Sequence, residues 1–227
     1  MIRIVLVSML VTICGACGDD GGKPVDAPAA KLHLQGEIVD WDETDALFCG
    51  VFGAKLTAHT DSTLTDSTNP NGRIDMMVPG DASVQIDVVP PTTLSECVST
   101  VGLYTLPGII MTGSAVINSG QTVSYRMIGT DRIQPFFSGL GVTFDPSKAI
   151  VFVHVAGTQK AVTSSAAHDT ALAWSGTAWA AGTTGVDVVF PNTAVGTTIV
   201  DAGTGAIGAG SIPAVAGTFT YVTLVAS

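Results

Sequence analysis

The chain has 227 residues, 46% of them hydrophobic and only 12% charged, with 9 Lys and Arg set against 19 Asp and Glu for a formal net charge of -10. A surface of this sign repels nucleic-acid phosphates and anionic lipid headgroups, which excludes DNA or RNA binding and any charge-driven membrane attachment.

The first element is a processing signal. Met1-Ile2-Arg3 carries one positive charge, and Ile4 to Ile13 follow with none, the plan of a secretory leader. The run is too short for a transmembrane helix, which needs about 20 apolar residues, and Gly15, Gly18, Asp19 and Asp20 close it. Cys14-Gly15-Ala16-Cys17 resembles the lipobox of bacterial lipoproteins. There, small residues precede a cysteine that is acylated and becomes the new N-terminus; Cys14 stands where that family usually has leucine. The resemblance implies a cleaved signal peptide over 1–16 and a lipid on Cys17. It further implies a lipid-anchored protein of the cell envelope, with Gly18 rather than aspartate after the cysteine pointing to the outer membrane. The alternative is an ordinary secretory signal cut nearby. Several acyl chains anchor firmly at about 0.8 kcal/mol per buried methylene, so the anchor needs no help from protein charge. Residues 17–30, rich in Gly, Pro, Asp and Ala, read as a flexible tether.

Export fits the cysteines. Past Cys17 only Cys49 and Cys97 remain, an even pair in a chain bound for an oxidising compartment, so a disulfide is expected. Closing that loop contributes roughly 4 kcal/mol in the chain-entropy model. Two buried free thiols are the alternative. Neither cysteine has a second ligand at zinc spacing.

The remaining elements follow a period of two. Leu32 and Leu34 alternate with His33 and Gln35, Leu56 and Ala58 with Lys55, Thr57 and His59, and Ile74, Met76 and Val78 with Arg73 and Asp75. Val84, Ile86 and Val88 alternate with Ser83, Gln85 and Asp87; Val151, Val153 and Val155 with Phe152 and His154; Phe219 and Tyr221 with Thr218, Thr220 and Val222. Each pattern predicts a strand with one wet face. Turn residues at Asn69-Pro70-Asn71-Gly72 and Val78-Pro79-Gly80-Asp81 separate them. Only Ser164 to Trp174 offers a helical reading, weakened by Ser165, Asp169 and Thr170.

Gly36-Glu37-Ile38-Val39, Gly53-Ala54-Lys55-Leu56, Asn71-Gly72-Arg73-Ile74, Val78-Pro79-Gly80 and the strand Val84 to Val88 occur in an order that resembles the carboxypeptidase regulatory-like domain. The insertion Asp40 to Phe48 and the long region Pro90 to Gly120 exceed that family's spacing. The resemblance implies a transthyretin-like β-sandwich over 31–128. Gly185 to Asn192 with Gly196 to Val200 repeats the theme, so a second sandwich over 145–227 is expected, with one larger sandwich as the alternative. Gly113 to Gly120 and Gly139 to Pro146 are the candidate linkers. The fold class is therefore all-β: one or two Ig-like or transthyretin-like β-sandwich domains.

No catalytic residue is assigned. Pro135-Phe136-Phe137-Ser138-Gly139 lacks the first glycine of a nucleophile elbow and reads as a turn. No zincin or phosphate-loop motif occurs. His33, His59, His154 and His168 are spread apart and read as exposed polar residues. Glu37, Glu43 and Glu96 are the only glutamates, with no spacing that sets up a glycosidase pair. Asp40-Trp41-Asp42-Glu43-Thr44-Asp45 places four carboxylates in six residues, so Asp40, Asp42 and Asp45 are candidate calcium ligands, although the loop lacks the glycine and distal glutamate of an EF-hand. A solvated loop is the plainer reading. Trp41, Trp174 and Trp179 are candidate platforms for stacking sugars, with packing the expected use of at least two. The expected function is non-catalytic binding, adhesion or scaffolding by a lipid-anchored envelope protein with a protein or glycan partner. Alternatives are a calcium- or carbohydrate-binding surface module and a hydrolase whose site would be an apolar cleft holding a buried Asp or His.

Overall fold

The computed structural model describes residues 30–41, 49–92, 103–208 and 210–227. The first half forms β1 (Lys31–Asp40), β2 (Lys55–Ala58), β3 (Asp61–Ser67), β4 (Arg73–Pro79), β5 (Val84–Val89), β6 (Gly108–Thr112), α1 (Ser114–Asn118), β7 (Val123–Met127) and α2 (Thr130–Gly139). The second half forms β8 (Ala149–Gly157), β9 (Thr163–Ser164), β10 (Leu172–Trp174), β11 (Trp179–Ala181), β12 (Asp187–Thr193), β13 (Gly196–Asp201), β14 (Ile207–Gly208), β15 (Ser211–Ala214) and β16 (Phe219–Ala226). The chain is an all-β sandwich. No helix among the described residues is long and apolar enough to cross a membrane.

The strands make three layers. A ten-stranded sheet runs β11-β10-β12-β8-β16-β6-β5-β2-β3, with β14 also on β16. One face meets the sheet β4-β1-β7, and part of the other meets β15-β13-β9. Alternation assigns each side chain: Leu34, Ile38, Ile74 and Met76 meet Ile86, Ile110, Phe152 and Tyr221 in the first core. Val151, Val153, Val155, Val222 and Leu224 point the other way, onto Val200 and Ile212, in the second. Each such side chain contributes about 1.5–3 kcal/mol by leaving water.

The alternations at 32–34, 56–58, 74–78 and 84–88 fall in strands whose apolar members are buried, Leu32 only partly, and whose polar members are exposed or partly so. At β8 and β16 the one-wet-face reading is corrected. β16 lies parallel to both β6 and β8, at the middle of the sheet. Nearly every residue of these two strands is buried on one face or the other, as parallel strands covered on both sides require.

That C-terminal strand also corrects the division into 31–128 and 145–227. β16 is hydrogen-bonded to β6 on one side and β8 on the other, so one sheet and one core contain residues of both stretches. The single larger sandwich is the arrangement found. The weak helical reading of Ser164 to Trp174 is not the one the fold adopts. The N–H groups of Ser165 and Asp169 are bonded to Ile199 and Pro191 carbonyls, and Leu172–Trp174 is a buried strand.

One helix lies where a linker is expected, α1 (Ser114–Asn118) falling inside Gly113 to Gly120; α2 ends at Gly139, where the second candidate linker begins, and contains Ser138, which corrects the turn reading there. Asp131 in the first turn of α2 suits the positive end of the helix dipole. Ile133 and Phe137, one turn apart, are both buried. That burial offsets Pro135, which breaks one helical hydrogen bond.

Two glycines are compelled by close approach. Gly72 has φ +70°, and a Cβ there would stand 2.1 Å from the Ile38 carbonyl oxygen. Its Asn-Gly turn is bound by Asn69, whose Oδ1 accepts from the N–H of Asn71 at 2.9 Å and of Arg73 at 3.1 Å. The turn joins β3 to β4 across two sheets, not as a hairpin within one. Gly36 brings β1 against β7, where a Cβ would lie 2.3 Å from Val123 Cγ2.

Candidate functional site

Charged groups gather between the layers at one end of the first core. Asp187 on β12, 3% exposed, sits opposite His154 on β8. Its Oδ1 is 2.8 Å from His154 Nδ1, and its Oδ2 accepts from Arg126 Nε of β7 at 2.9 Å. Arg126 also donates to the Trp41 carbonyl at 3.3 Å, and its guanidinium lies 5.2 Å from the centre of the Trp174 ring. Thr223 on β16, paired with His154 of β8, has its hydroxyl 3.2 Å from that of Tyr125. Burial pushes the Tyr125 and Tyr221 phenols well above the ordinary tyrosine range, countered at Tyr125 only in part by Thr223.

A histidine held by an aspartate is half of a nucleophilic triad. The neighbouring hydroxyl, Thr223, is fully buried and shared with Tyr125. The cluster's geometry suits joining β7 to β8, β12 and β16 across the sandwich. It also corrects one expectation: His154 is not an exposed polar residue, its side chain being 15% exposed. The periodicity concealed this because β8 has no wet face. His33 and His59 do lie on open faces, paired with Asp75 and Asp87. His168 is half-buried against the Phe190 ring.

The calcium candidates separate. Asp40 is fully buried rather than solvated, accepting from the Tyr104 hydroxyl at 2.5 Å and lying 3.7 Å from Arg132 Nη1. Asp42 and Asp45 lie outside the described residues, and no cluster of three potential ligands occurs among those described. The tryptophans spend their faces on one another. Trp41 stacks on Trp179 at 5.0 Å and 9°, Trp174 lies 5.5 Å from Trp179, and Phe136 packs edge-on to both Trp41 and Trp179. This is core packing, not a platform for sugars.

Cys17 and Cys97 also lie outside the described residues. Cys49 is buried.

A polar groove of about 610 Å³ opens on the outer face of the β4-β1-β7 sheet, lined among others by Gln35, Glu37, Asn69, Arg73, Asp75 and Thr122. Register sets these side chains in rows: Gln35 faces Asp75, and Arg73, Glu37 and Ser124 lie side by side across three strands. Ser124 Oγ donates to Glu37 Oε1 at 3.2 Å, and His33 Nε2 holds Asp75 Oδ1. Sequence alternation placed these polar residues on one face, but it could not show that β4 and β7 flank β1.

No family model matches the chain, and no curated protein matches it. Among solved structures, a double mutant of the shaft pilin SpaA from Lactobacillus rhamnosus GG is similar at 9% identity, covering 87% of this chain and 98% of that one, with a TM-score of 0.23. The unmutated shaft pilin is similar at 10% identity, covering 87% and 97%, with a TM-score of 0.21. Overlap this low assigns neither a fold family nor an activity.

Proposed function

We propose that the chain is a lipid-anchored, non-catalytic β-sandwich of the bacterial cell envelope that serves as a binding, adhesion or scaffold module. The observation that carries the non-catalytic part is the use made of the acid–base groups. The buried His154–Asp187 pair ties strands together inside the sandwich, away from the open, polar groove on the outer face. The lipobox-like Cys14-Gly15-Ala16-Cys17 supports the anchor, and the tether over 17–30 supports display away from the membrane. The order of signatures over 31–128 supports kinship with carboxypeptidase regulatory-like domains. In this reading Cys97 is the partner of Cys49.

Intact-mass analysis of the protein from the membrane fraction tests the anchor. Loss of residues 1–16 with an acylated Cys17 is the expected result, and an unmodified chain that keeps Met1 refutes it. The same preparation, digested without reductant, should yield a Cys49–Cys97 cross-linked peptide. Affinity capture from envelope extract tests the binding role, with a specific, saturable partner expected.

A further inference from the structure

We propose that the groove on the outer face of the β4-β1-β7 sheet is a binding site for a neutral oligosaccharide. The inference rests on the binding-module reading and supplies its ligand class. The groove's volume, about 610 Å³, falls in the range of small-ligand sites, but its lining is polar, so an apolar ligand would gain little by entering. Glu37 and Asp75 beside Arg73 set acceptors next to a donor, and a neutral ligand with many hydroxyls can pair with all three, because each hydroxyl both donates and accepts.

The side chains are held in a way that suits such a ligand. Asn69 Oδ1 accepts from two backbone N–H groups, which leaves its Nδ2 as the donor end of the amide. Glu37 accepts at Oε1 from Ser124, and Asp75 is paired at Oδ1 with His33, so each keeps a second oxygen as an acceptor. No ion pair among the described residues engages Arg73, although it lies directly across from Glu37. Donors and acceptors thus lie side by side on strands about 4.8 Å apart. Binding groups fixed by neighbours lose less freedom on association.

The test is a titration of the full chain with maltohexaose, cellohexaose and chitohexaose, followed by saturation-transfer NMR, with triglycine as the peptide counterpart. At least one oligosaccharide should bind. Arg73→Ala and Gln35→Ala should each weaken it at least about tenfold, with unchanged melting curves, and Ile199→Ala on the far layer should leave it unaltered. No transfer to any of the three sugars, full binding by both groove variants, or binding of triglycine alone would each overturn the proposal. Lipidation is read from the mass measurement above, so failure here and failure of the anchor are separately visible.

Discussion

Replacing Asp187 by alanine tests whether the interior cluster is a structural tie. The substitution removes the acceptor of both Arg126 Nε and His154 Nδ1, while Arg126 keeps its bond to the Trp41 carbonyl. Hydrogen bonds to charged groups are worth about 1.5–3 kcal/mol each, and removing one member of a buried pair costs about 3–5 kcal/mol. The Arg126 and His154 side chains are 12% and 15% exposed, so water relieves part of the loss. The expected cost is then about 3 kcal/mol, or roughly 6–12 °C in Tm for a chain of this size. Urea unfolding followed by tryptophan fluorescence reads it directly, as a lower midpoint at constant slope. The double variant Arg126→Met with Asp187→Leu should recover much of the loss, because apolar replacement of a buried pair is often neutral or better. A loss below about 1 kcal/mol for Asp187→Ala would refute the reasoning.

Other perturbations probe separate parts of the fold. Tyr125 and Tyr221 have phenols raised by burial, so the stability they confer is full below the unfolded phenol range near 10 and is lost as pH rises beyond it. Tyrosinate absorbance should therefore appear together with unfolding in an alkaline titration; ionisation of all three tyrosines in a protein that stays folded would contradict this. Gly72→Ala should cost at least about 2 kcal/mol, from the left-handed backbone and the contact with the Ile38 carbonyl, and denaturant midpoints would show it. Phe152→Ala, at a residue fully buried between the two sheets, should cost about 3–5 kcal/mol by the same assay, and near-wild-type stability would argue against that packing.

The sequence by itself determined that the chain is built of strands and which residues of β1, β2, β4 and β5 face inward, because a period of two is a local property of a strand with one wet face. It also determined the acidic character and the Asn-Gly turn at Asn71-Gly72, whose left-handed backbone depends on the residues themselves. Only the tertiary structure decided which strands are neighbours. Hydrogen-bond pairing such as β16 between β6 and β8 is set by contacts more than sixty residues apart, and no local pattern encodes it. Central strands hide their faces for the same reason: once both sides are covered, a polar residue such as His154 marks an interior partner instead of solvent. The Arg126, His154 and Asp187 cluster and the rows of the outer groove arise from that pairing, since each draws its members from separate strands that only the folded sheets bring together.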